Sequence, residues 1–378
     1  MKLFVSAGEP SGDLHAANLV RSLLSRRPDA QVTALGGDRT RDAGARLLFP
    51  LADFAVMGVK NVVRHLPTFF RIGDLATRHI RTQRPDAVVL IDYPGFHLEL
   101  AQRVRGFGVP VYYFVPPQIW AWRQGRVRAV RKRFDAVLTA LPFEDDWFKA
   151  RGVRTHYVGH PYFDELARQR LDPAFLAHEQ AKPGTRVAIL PGSRNSEVSA
   201  NAATMLAAAK KIHAARPDTR FLVAAFNPRQ AESVRALIPA GLPVDVHSGL
   251  TPEIIELAEA CVAVSGSVSL ELMNRLKPTV VVYRVSRLAE LVLARLIRVK
   301  YMSLVNLLVD DTIYPEFPTS RDRSDQIAGH VLEWLNDPAA RDAVVSRLAA
   351  LRERVAVPGA CDRAADFLLG AAGVARAA

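Results

Sequence analysis

The chain has 378 residues, 49% of them hydrophobic, and a mean hydropathy of +0.05. These values exclude a disordered chain, and the length favours two domains that each bury their own core. Lysine and arginine outnumber aspartate and glutamate by 50 to 38, which favours anionic partners: phosphorylated substrates, nucleic acid or an anionic membrane surface. No apolar run reaches the roughly 18 residues of a membrane span, and the first residues resemble a strand and a loop rather than a signal peptide, so a cytoplasmic location is expected.

The first half of the chain is predicted to form a doubly wound parallel sheet. Its candidate strands are short, rich in valine and not alternating, as expected of parallel strands that helices cover on both faces. They are 3–6, 31–35, 46–49, 87–91, 111–114, 136–139 and 155–158. Ligands of such sheets bind beyond the carboxyl ends of the strands, so the residues that follow each strand are the first candidates for a site.

The loop after the first strand reads AGEPSGDL, from Ala7 to Leu14. It has the glycines of a phosphate-binding turn, but it carries two carboxylates and no basic residue. Because an anion would be repelled, a neutral group rich in hydroxyls, such as a sugar, is the better fit. The predicted ligands are Gly8, Glu9, Ser11, Gly12 and Asp13; alternatively, Ser11 or Asp13 only caps the helix that begins near Leu14.

Residues 55–84 combine apolar side chains at helical spacing with arginines seven positions apart. One interpretation is an amphipathic helix with a solvated basic face. The other is a membrane surface whose apolar side chains enter lipid while its arginines meet anionic headgroups. A nucleic-acid surface is disfavoured because no second basic and aromatic cluster accompanies it. Pro67 is predicted to start a second helix. The residues assigned to the membrane surface are Val59, Val62, Val63, Arg64, Leu66, Phe69, Phe70 and Arg71.

Asp92 directly follows the strand 87–91 and precedes Tyr93-Pro94-Gly95. A carboxylate at this edge of the sheet suits a general base, although it can also cap the next helix. His15 and His160 follow glycine-bearing loops at the same edge and are the other candidates for the base. Further along, Trp120 and Trp122 either form an apolar wall for a substrate or pack against the next helix.

A strand, a glycine turn and a helix recur in the second half at Arg186 to Glu197, RVAILPGSRNSE. The turn combines a glycine, free N–H groups and the positive end of a helix, which suits a phosphate, and the guanidinium of Arg194 suits a pyrophosphate. The candidate ligands are Gly192, Ser193, Arg194 and Glu197. The alternative is an ordinary turn between a strand and a helix that binds no ligand.

The remaining strands of the second half are predicted at 221–224, 244–246, 261–264 and 279–283, with helices between them, which indicates another parallel sheet. After 261–264, Ser265-Gly266-Ser267 opens a helix and forms a second turn suited to anions, facing the same cleft as the first. Glu271, one turn into that helix, can accept the two hydroxyls of a ribose. Cys261 is expected to be buried and reduced.

Several motifs together resemble the lipid-A-disaccharide synthase family along most of the chain. The motifs follow the family's order at compatible spacing: SAGEPSGDLHAANL, AVMGVKNVVRHLP, IDYPGF, VPPQIWAWR, LPFE, VGHPYFDE, ILPGSRNSEV and SGSVSLELM. The resemblance implies a GT-B fold, with two Rossmann-like doubly wound parallel-sheet domains that face a cleft. We expect an acceptor- and membrane-facing domain at 1–165, a UDP-sugar-binding domain at 166–358, and a C-terminal helix at 359–378 that crosses back to the first domain.

The resemblance also implies the reaction. An inverting glycosyltransferase of this family transfers 2,3-diacylglucosamine from UDP-2,3-diacylglucosamine to 2,3-diacylglucosamine 1-phosphate, giving the β-1,6-linked lipid A disaccharide 1-phosphate and UDP. No metal, organic cofactor or nucleic acid is expected. The lipid substrates imply peripheral attachment to the inner face of the inner membrane of a Gram-negative bacterium, and a homodimer is left open.

By the same analogy, Arg194 contacts the pyrophosphate, Glu271 the ribose, and Asp92 matches the family's essential carboxylate. Asn306 and Glu316 are the same residues as in the family pattern, and the resemblance implies that they bind substrate.

The chain departs from the family pattern at four positions: Gly95 replaces a second carboxylate, His97 an asparagine, Asn61 a glutamate and Thr319 a glutamine. These departures concern the acceptor and its acyl chains more than the reaction class. Two other functions stay open. One is another GT-B enzyme, either a UDP-sugar epimerase or a glycosyltransferase with a soluble acceptor. The other is a non-catalytic, membrane-associated nucleotide-sugar binder.

Overall fold

The computed structural model describes residues 1–52, 54, 62–285 and 299–377. The chain divides into two compact units. Unit 1 comprises Met1–Arg168 and Val357–Ala378, and unit 2 comprises Gln169–Ala356. Each unit contains one parallel sheet, and the two doubly wound sheets expected from the sequence are confirmed.

The described residues of unit 1 form seven parallel strands in the order β3-β2-β1-β4-β5-β6-β7. The strands are β1 Lys2–Ala7, β2 Gln31–Leu35, β3 Arg46–Phe49, β4 Ala87–Ile91, β5 Val111–Phe114, β6 Ala136–Thr139 and β7 Thr155–Tyr157. The helices are α1 Pro10–Arg26, α2 Asp38–Asp42, α3 Val62–Gln83, α4 Pro94–Val104, α5 Val127–Arg133, α6 Pro142–Lys149 and α7 Tyr162–Arg168, with a 3₁₀ turn at Gln124–Arg126. Alternate residues of β1 enter two different cores, Leu3 and Val5 on one face and Phe4 on the other. Burial of both faces explains why the strands are apolar without alternation.

In the part of unit 2 that the structure describes, six parallel strands run in the order β10-β9-β8-β11-β12-β13. The strands are β8 Thr185–Leu190, β9 Thr219–Ala225, β10 Val244–Ser248, β11 Ala260–Val264, β12 Thr279–Arg284 and β13 Glu316–Thr319. The helices are α8 Pro173–Gln180, α9 Asn195–Ala215, α10 Pro228–Arg235, α11 Thr251–Leu257, α12 Val268–Asn274, α13 Leu304–Val309, α14 Ser324–Asn336 and α15 Pro338–Val355. Cys261 is a buried free thiol in β11.

Helix α3 continues through Pro67, so the prediction that Pro67 starts a second helix is wrong. A proline in a helix removes one N–H donor and crowds one carbonyl, and a long helix anchored to a sheet can tolerate that loss. The buried side chains of Ile72, Ala76 and Ile80 anchor α3 to the core of unit 1.

The last helix, α16 (Ala360–Ala377), belongs to unit 1 and packs against α1. Its start is held by the buried carboxylate of Asp164 in α7. This carboxylate accepts the backbone N–H groups of Gly359, Ala360 and Cys361 at 2.5, 3.0 and 2.8 Å. The first N–H groups of a helix have no partner within it, so Asp164 satisfies donors that burial would otherwise leave unpaired.

Candidate functional site

Each sheet has one point where the strand order reverses, between β1 and β4 in unit 1 and between β8 and β11 in unit 2. The loops beyond these strand pairs diverge to opposite faces of the sheet and leave a crevice, which is where open parallel sheets bind ligands. The Gly8 loop and Asp92 follow β1 and β4. The Gly192 turn and Ser265 follow β8 and β11. The structure therefore brings the sequence-predicted residues together in two groups, one per unit.

In unit 1, Gly8 lies against the ring of Tyr93. A side chain at Gly8 would place its Cβ 2.2 Å from the ring carbon Cδ1, so only glycine leaves room for the tyrosine. Burial, together with the charge of Glu9, raises the pKa of Tyr93 to about 12. Glu9 is half-buried at the start of α1, whereas Ser11 is exposed.

Asp92 and Tyr93 have positive φ angles of 51° and 48°, a left-handed conformation that is uncommon for residues with a side chain. The carbonyl oxygen of Asp92 accepts hydrogen bonds from His97 Nδ1 at 2.7 Å and from the Tyr113 hydroxyl at 3.0 Å. Strained backbone of this kind persists only where its surroundings hold it, and it concentrates at functional sites. Unit 1 thus holds the half-buried Asp92 in a fixed bend between β4 and α4.

His97 links that bend to β1. Since a carbonyl only accepts, the His97 Nδ1 carries the proton, and Nε2 accepts the Ser6 hydroxyl at 2.8 Å. Both side chains are fully buried, and burial lowers the pKa of His97 to about 4. The imidazole is therefore neutral at physiological pH. In the sequence His97 stands out only as a departure from the family pattern, because its partner Ser6 lies 91 residues away in the chain.

Asp13 is buried, and its carboxylate is used within unit 1. It accepts the N–H groups of Gly37, Arg39 and Thr40 at 2.6, 3.2 and 3.3 Å, and the Thr40 hydroxyl at 2.5 Å. It thus caps α2 rather than its own helix. These bonds favour a structural role for Asp13 over sugar binding. Gly12 is buried beside Ala7, where a Cβ would make ordinary contact at 3.5 Å.

His15 and His160 are neighbours, with ring centroids 5.9 Å apart in an edge-to-face arrangement. Burial lowers the pKa of His15 to about 3, with a smaller contribution from His160, and burial lowers the pKa of His160 to about 4. A general base works best when its pKa lies near the working pH. Burial therefore makes both histidines weaker bases than an exposed histidine.

Trp120 is buried and packs edge-to-face on Phe143, with ring centroids 4.8 Å apart, so packing is the better of its two interpretations. Its indole N–H donates to Glu144 Oε1 at 3.1 Å, and Glu144 Oε2 accepts the N–H of Ala140 at 3.1 Å. Burial raises the pKa of Glu144 to about 7. Glu144 was not among the residues predicted from the sequence, although it follows the buried strand β6 within a few residues. Trp122 is exposed, with the Arg123 guanidinium 4.5 Å from its ring centroid.

An apolar groove of about 340 Å³ lies between α3 and α4; we call it the α3–α4 groove. The ring of Phe69 lines this groove and packs against the rings of Phe54, Tyr93 and Phe96. The described residues that line the groove are Leu66, Phe69, Phe70, Gly73, Tyr93, Gly95, Phe96, Glu99, Leu100 and Arg103.

The residues assigned to a membrane surface differ in their exposure to solvent. Leu66 and Phe70 are 41% and 55% exposed, and Arg71 is exposed, whereas Phe69 faces the groove. Val59 lies outside the described residues, as do the side chains of Val62, Val63 and Arg64. Within the described part of the chain, no helix combines the length and apolar character needed to cross a bilayer.

In unit 2, the Gly192 turn already holds an anionic group. The carboxylate of Glu197 accepts the N–H groups of Ser193 and Arg194 at 3.0 and 3.1 Å. The Arg194 guanidinium pairs with the other carboxylate oxygen at 3.1 Å. Gly192 has a φ of +121°, and a Cβ there would lie 2.5 Å from the Glu197 Cβ. The turn therefore has the geometry of an anion site, and the 65% exposed Arg194 side chain borders it.

Asn306 and Glu316 organise the loops around the Ser265 turn. Asn306 is buried and makes four hydrogen bonds, to the backbone of Ile313 and Tyr314 and to Glu316. Its hydrogen-bonding capacity is used in holding these loops together. These bonds favour a structural role for Asn306 over direct contact with a substrate.

Glu316 accepts the N–H groups of Met302 and Ser303 at 2.7 and 2.9 Å, and the Ser265 hydroxyl donates to the Met302 carbonyl at 2.9 Å. These bonds place Glu316 and the turn of Ser265, Gly266 and Ser267 around one loop. Glu271, in α12, is buried and forms an ion pair with Arg275 at 3.1 Å.

The amino-acid sequence is similar to those of one known protein family. A family model described as lipid-A-disaccharide synthetase matches residues 3–356. The lipid-A-disaccharide synthase of Myxococcus xanthus strain DK1622 is 35% identical over 370 residues, which cover 97% of each chain. That of Geobacter sulfurreducens is 33% identical over 97% of this chain and 96% of its own.

Solved structures similar to this chain share its fold at low sequence identity. UDP-GlcNAc 2-epimerase from Neisseria meningitidis, bound to UDP-GlcNAc, superposes with a TM-score of 0.68 at 12% identity, over 98% of this chain and all of that one. The glycotransferase of kitacinnamycin gives a TM-score of 0.67 at 17% identity, over 98% of both chains. The GT-B fold expected from the sequence is thereby confirmed.

Proposed function

We infer that this chain, which belongs to the lipid-A-disaccharide synthase family, condenses UDP-2,3-diacylglucosamine with 2,3-diacylglucosamine 1-phosphate. It is a glycosyltransferase of lipid A biosynthesis that acts on a nucleotide sugar and a lipid-linked acceptor. The observation that carries the proposal is the family match over residues 3–356, together with a carboxylate, Asp92, at the reversal point of the unit 1 sheet.

We assign the acceptor to unit 1 and the UDP group to unit 2. The acceptor hydroxyl at C6 attacks the anomeric carbon of the donor, forming the new C–O bond as the bond to UDP breaks, and configuration inverts. An alcohol is a poor nucleophile at neutral pH, so a base must take its proton as it attacks. We assign this role to Asp92, because its carboxylate follows β4 at the reversal point of the unit 1 sheet and its backbone is held in a fixed bend.

The leaving pyrophosphate needs positive charge and N–H donors. Arg194 and the N–H groups of the Gly192 turn supply both in unit 2. Glu197 now accepts those N–H groups. We propose that a pyrophosphate oxygen takes its place when UDP binds, and that Glu197 keeps the turn in a binding geometry in the free enzyme.

The direct test incubates the protein with both lipid substrates in detergent micelles and measures UDP and disaccharide by mass spectrometry. The parent should form both products. Asp92→Asn keeps the shape but removes the base, so kcat should fall by about 10²- to 10⁴-fold while UDP binding persists. If the variant keeps more than about a tenth of the parental kcat, the base is His15 or His160. Turnover with water-soluble acceptors but not with the lipid would favour another GT-B activity.

We also propose that unit 1 attaches peripherally to an anionic membrane, at the inner face of the inner membrane, through α3. The exposed Leu66 and Phe70 provide apolar contact next to the exposed Arg71. Phe70→Ser should weaken co-sedimentation with vesicles containing anionic lipid, and added salt should weaken it further. The matched control is Phe226→Ser, because Phe226 is 63% exposed but lies in unit 2. Equal effects of the two substitutions would exclude α3 as the attachment surface.

A further inference from the structure

We propose that the α3–α4 groove binds one acyl chain of the acceptor lipid and makes the enzyme selective for its length. The inference rests on the proposed function, since it takes the acceptor of unit 1 to be an acylated sugar. It adds a binding site and residues that determine specificity.

The groove has the size and surface of a ligand site. Its volume of about 340 Å³ falls in the usual range of about 300–1,000 Å³ for small-molecule pockets. The rings of Phe69, Tyr93 and Phe96 form one wall, with centroids 6.3 Å apart in each pair. Such mutually packed aromatic rings are rigid and apolar, so they favour a hydrocarbon chain over a polar ligand.

Tyr93 connects the groove to the reacting groups. One part of its ring lies against Gly8, in the loop that carries Glu9, and the ring also packs on Phe69 and Phe96 in the groove. Asp92 is the preceding residue. An acylated sugar with its hydroxyl at Asp92 can therefore place its polar ring beside the Gly8 loop and its chain in the groove.

The other end of the groove is charged. Gly95, Glu99 and Arg103 are four residues apart, so they share one face of α4 and span roughly 12 Å at about 1.5 Å per residue. Arg103 pairs with Asp74 at 2.8 Å and with Glu99 at 3.1 Å, and its guanidinium lies 5.6 Å from the centroid of the Phe70 ring. An acyl chain that reached this ion-pair cluster would have to desolvate it, so the cluster sets a maximum chain length.

An acyl chain is favoured as occupant because the groove is continuous with the exposed α3 surface. Leu66 and Phe70 line the groove and are also 41% and 55% exposed. A chain held at a membrane by this surface can move into the groove without crossing water, which would otherwise oppose its transfer.

The test uses Gly95→Leu. A Cβ at Gly95 would meet no atom within 4 Å, and Gly95 does not have a positive φ, so the variant should fold with its side chain in the groove. The matched control is Gly370→Leu, a helical glycine of unit 1 with equal space around it. In a first series of assays, the acyl chains of the acceptor are shortened while the donor is held constant. In a second series, the acyl chains of the donor are shortened while the acceptor is held constant.

For the parent, each methylene removed from the acceptor chain should raise the acceptor KM about fourfold while the chain still fills the groove. Gly95→Leu should raise the KM of the long-chain acceptor at least tenfold and flatten this dependence, with the Kd for UDP unchanged. Gly370→Leu should match the parent. Calorimetric titration of the acceptors into the enzyme in micelles measures the same dependence without turnover. Absence of disaccharide would refute the proposed function, whereas the titration would still decide on the groove.

The proposal is overturned if Gly95→Leu keeps the parental dependence on acceptor chain length. It is equally overturned if the dependence follows the donor chain. Loss of vesicle binding with an unchanged chain-length dependence would show that the groove takes a membrane lipid instead, and self-association lost in Gly95→Leu alone would show that it takes a second copy.

Discussion

We predict that His97→Leu lowers kcat strongly and leaves UDP binding unchanged. His97 donates to the Asp92 carbonyl at 2.7 Å and accepts the Ser6 hydroxyl at 2.8 Å. Leucine removes both bonds, so the buried hydroxyl loses this acceptor and the carbonyl keeps Tyr113 as its other hydrogen-bond donor. His97 touches no reacting atom, so it acts by positioning Asp92.

The magnitude follows from these contacts. Leaving the buried Ser6 hydroxyl without this acceptor costs about 1–3 kcal/mol, and the Asp92 carbonyl, which keeps Tyr113, loses one hydrogen bond worth about 0.5–1.5 kcal/mol. The free energy of unfolding of unit 1 should therefore fall by about 1.5–4.5 kcal/mol. The left-handed conformations of Asp92 and Tyr93 cost about 1–3 kcal/mol each and should relax once the hydrogen bond is lost. A shift of about 1 Å in the base can lower kcat about 100-fold.

The assay measures kcat and KM from UDP release, the Kd for UDP by calorimetry, and unfolding by denaturant. His97→Asn is the conservative variant, because its amide can still donate to the Asp92 carbonyl, and it should recover much of the lost kcat. The reasoning is refuted if His97→Leu keeps the parental kcat, or if the asparagine variant is as impaired as the leucine variant at equal stability.

Three further predictions test other parts of the molecule. Arg194→Ala should weaken UDP binding by about 1.5–3 kcal/mol, since a charge-assisted contact is lost, and unchanged affinity by calorimetry would exclude its role. Asp164→Ala removes three hydrogen bonds from backbone N–H groups and should lower the free energy of unfolding by about 3–5 kcal/mol. The control, Asp366→Asn, breaks an exposed ion pair with Arg26 and should lower it by less than about 1 kcal/mol. Equal losses in the two variants would contradict the capping role of Asp164. Because burial lowers the pKa of His160 from 6.5 to about 4, the unfolded chain binds protons first and the melting temperature should fall as pH drops from 6.5 toward 4. His160→Asn should make that fall shallower, and parallel curves for parent and variant would contradict the assignment.

The sequence by itself determined the class of the fold and the positions of most strands. The valine-rich segment 87–91 was predicted as a strand and is β4, and 31–35 is β2, with the predicted bounds. The glycine turn at 191–194 and the family motifs also follow from the printed order of residues. Such features are local, because the spacing of apolar residues and the preference of glycine for tight turns depend on a few neighbours.

Only the tertiary structure decided which local candidates act together. Asp13 looked like a sugar ligand or a cap of its own helix, and it caps α2 across the unit instead. Phe69 and Phe70 are adjacent in sequence, yet one packs in the groove and the other is exposed.

The tertiary structure also determines the hydrogen bonds between residues that are far apart in the sequence. Asp164 caps a helix that begins 196 residues later, and His97 joins Ser6 to Asp92. The order of the strands in the sheet determines which residues meet. It brings β1 beside β4, where Leu3 pairs with Ala87, 84 positions later in the sequence. Strand order depends on how whole elements pack to bury two sheet faces, and that packing is a property of the complete unit rather than of any segment.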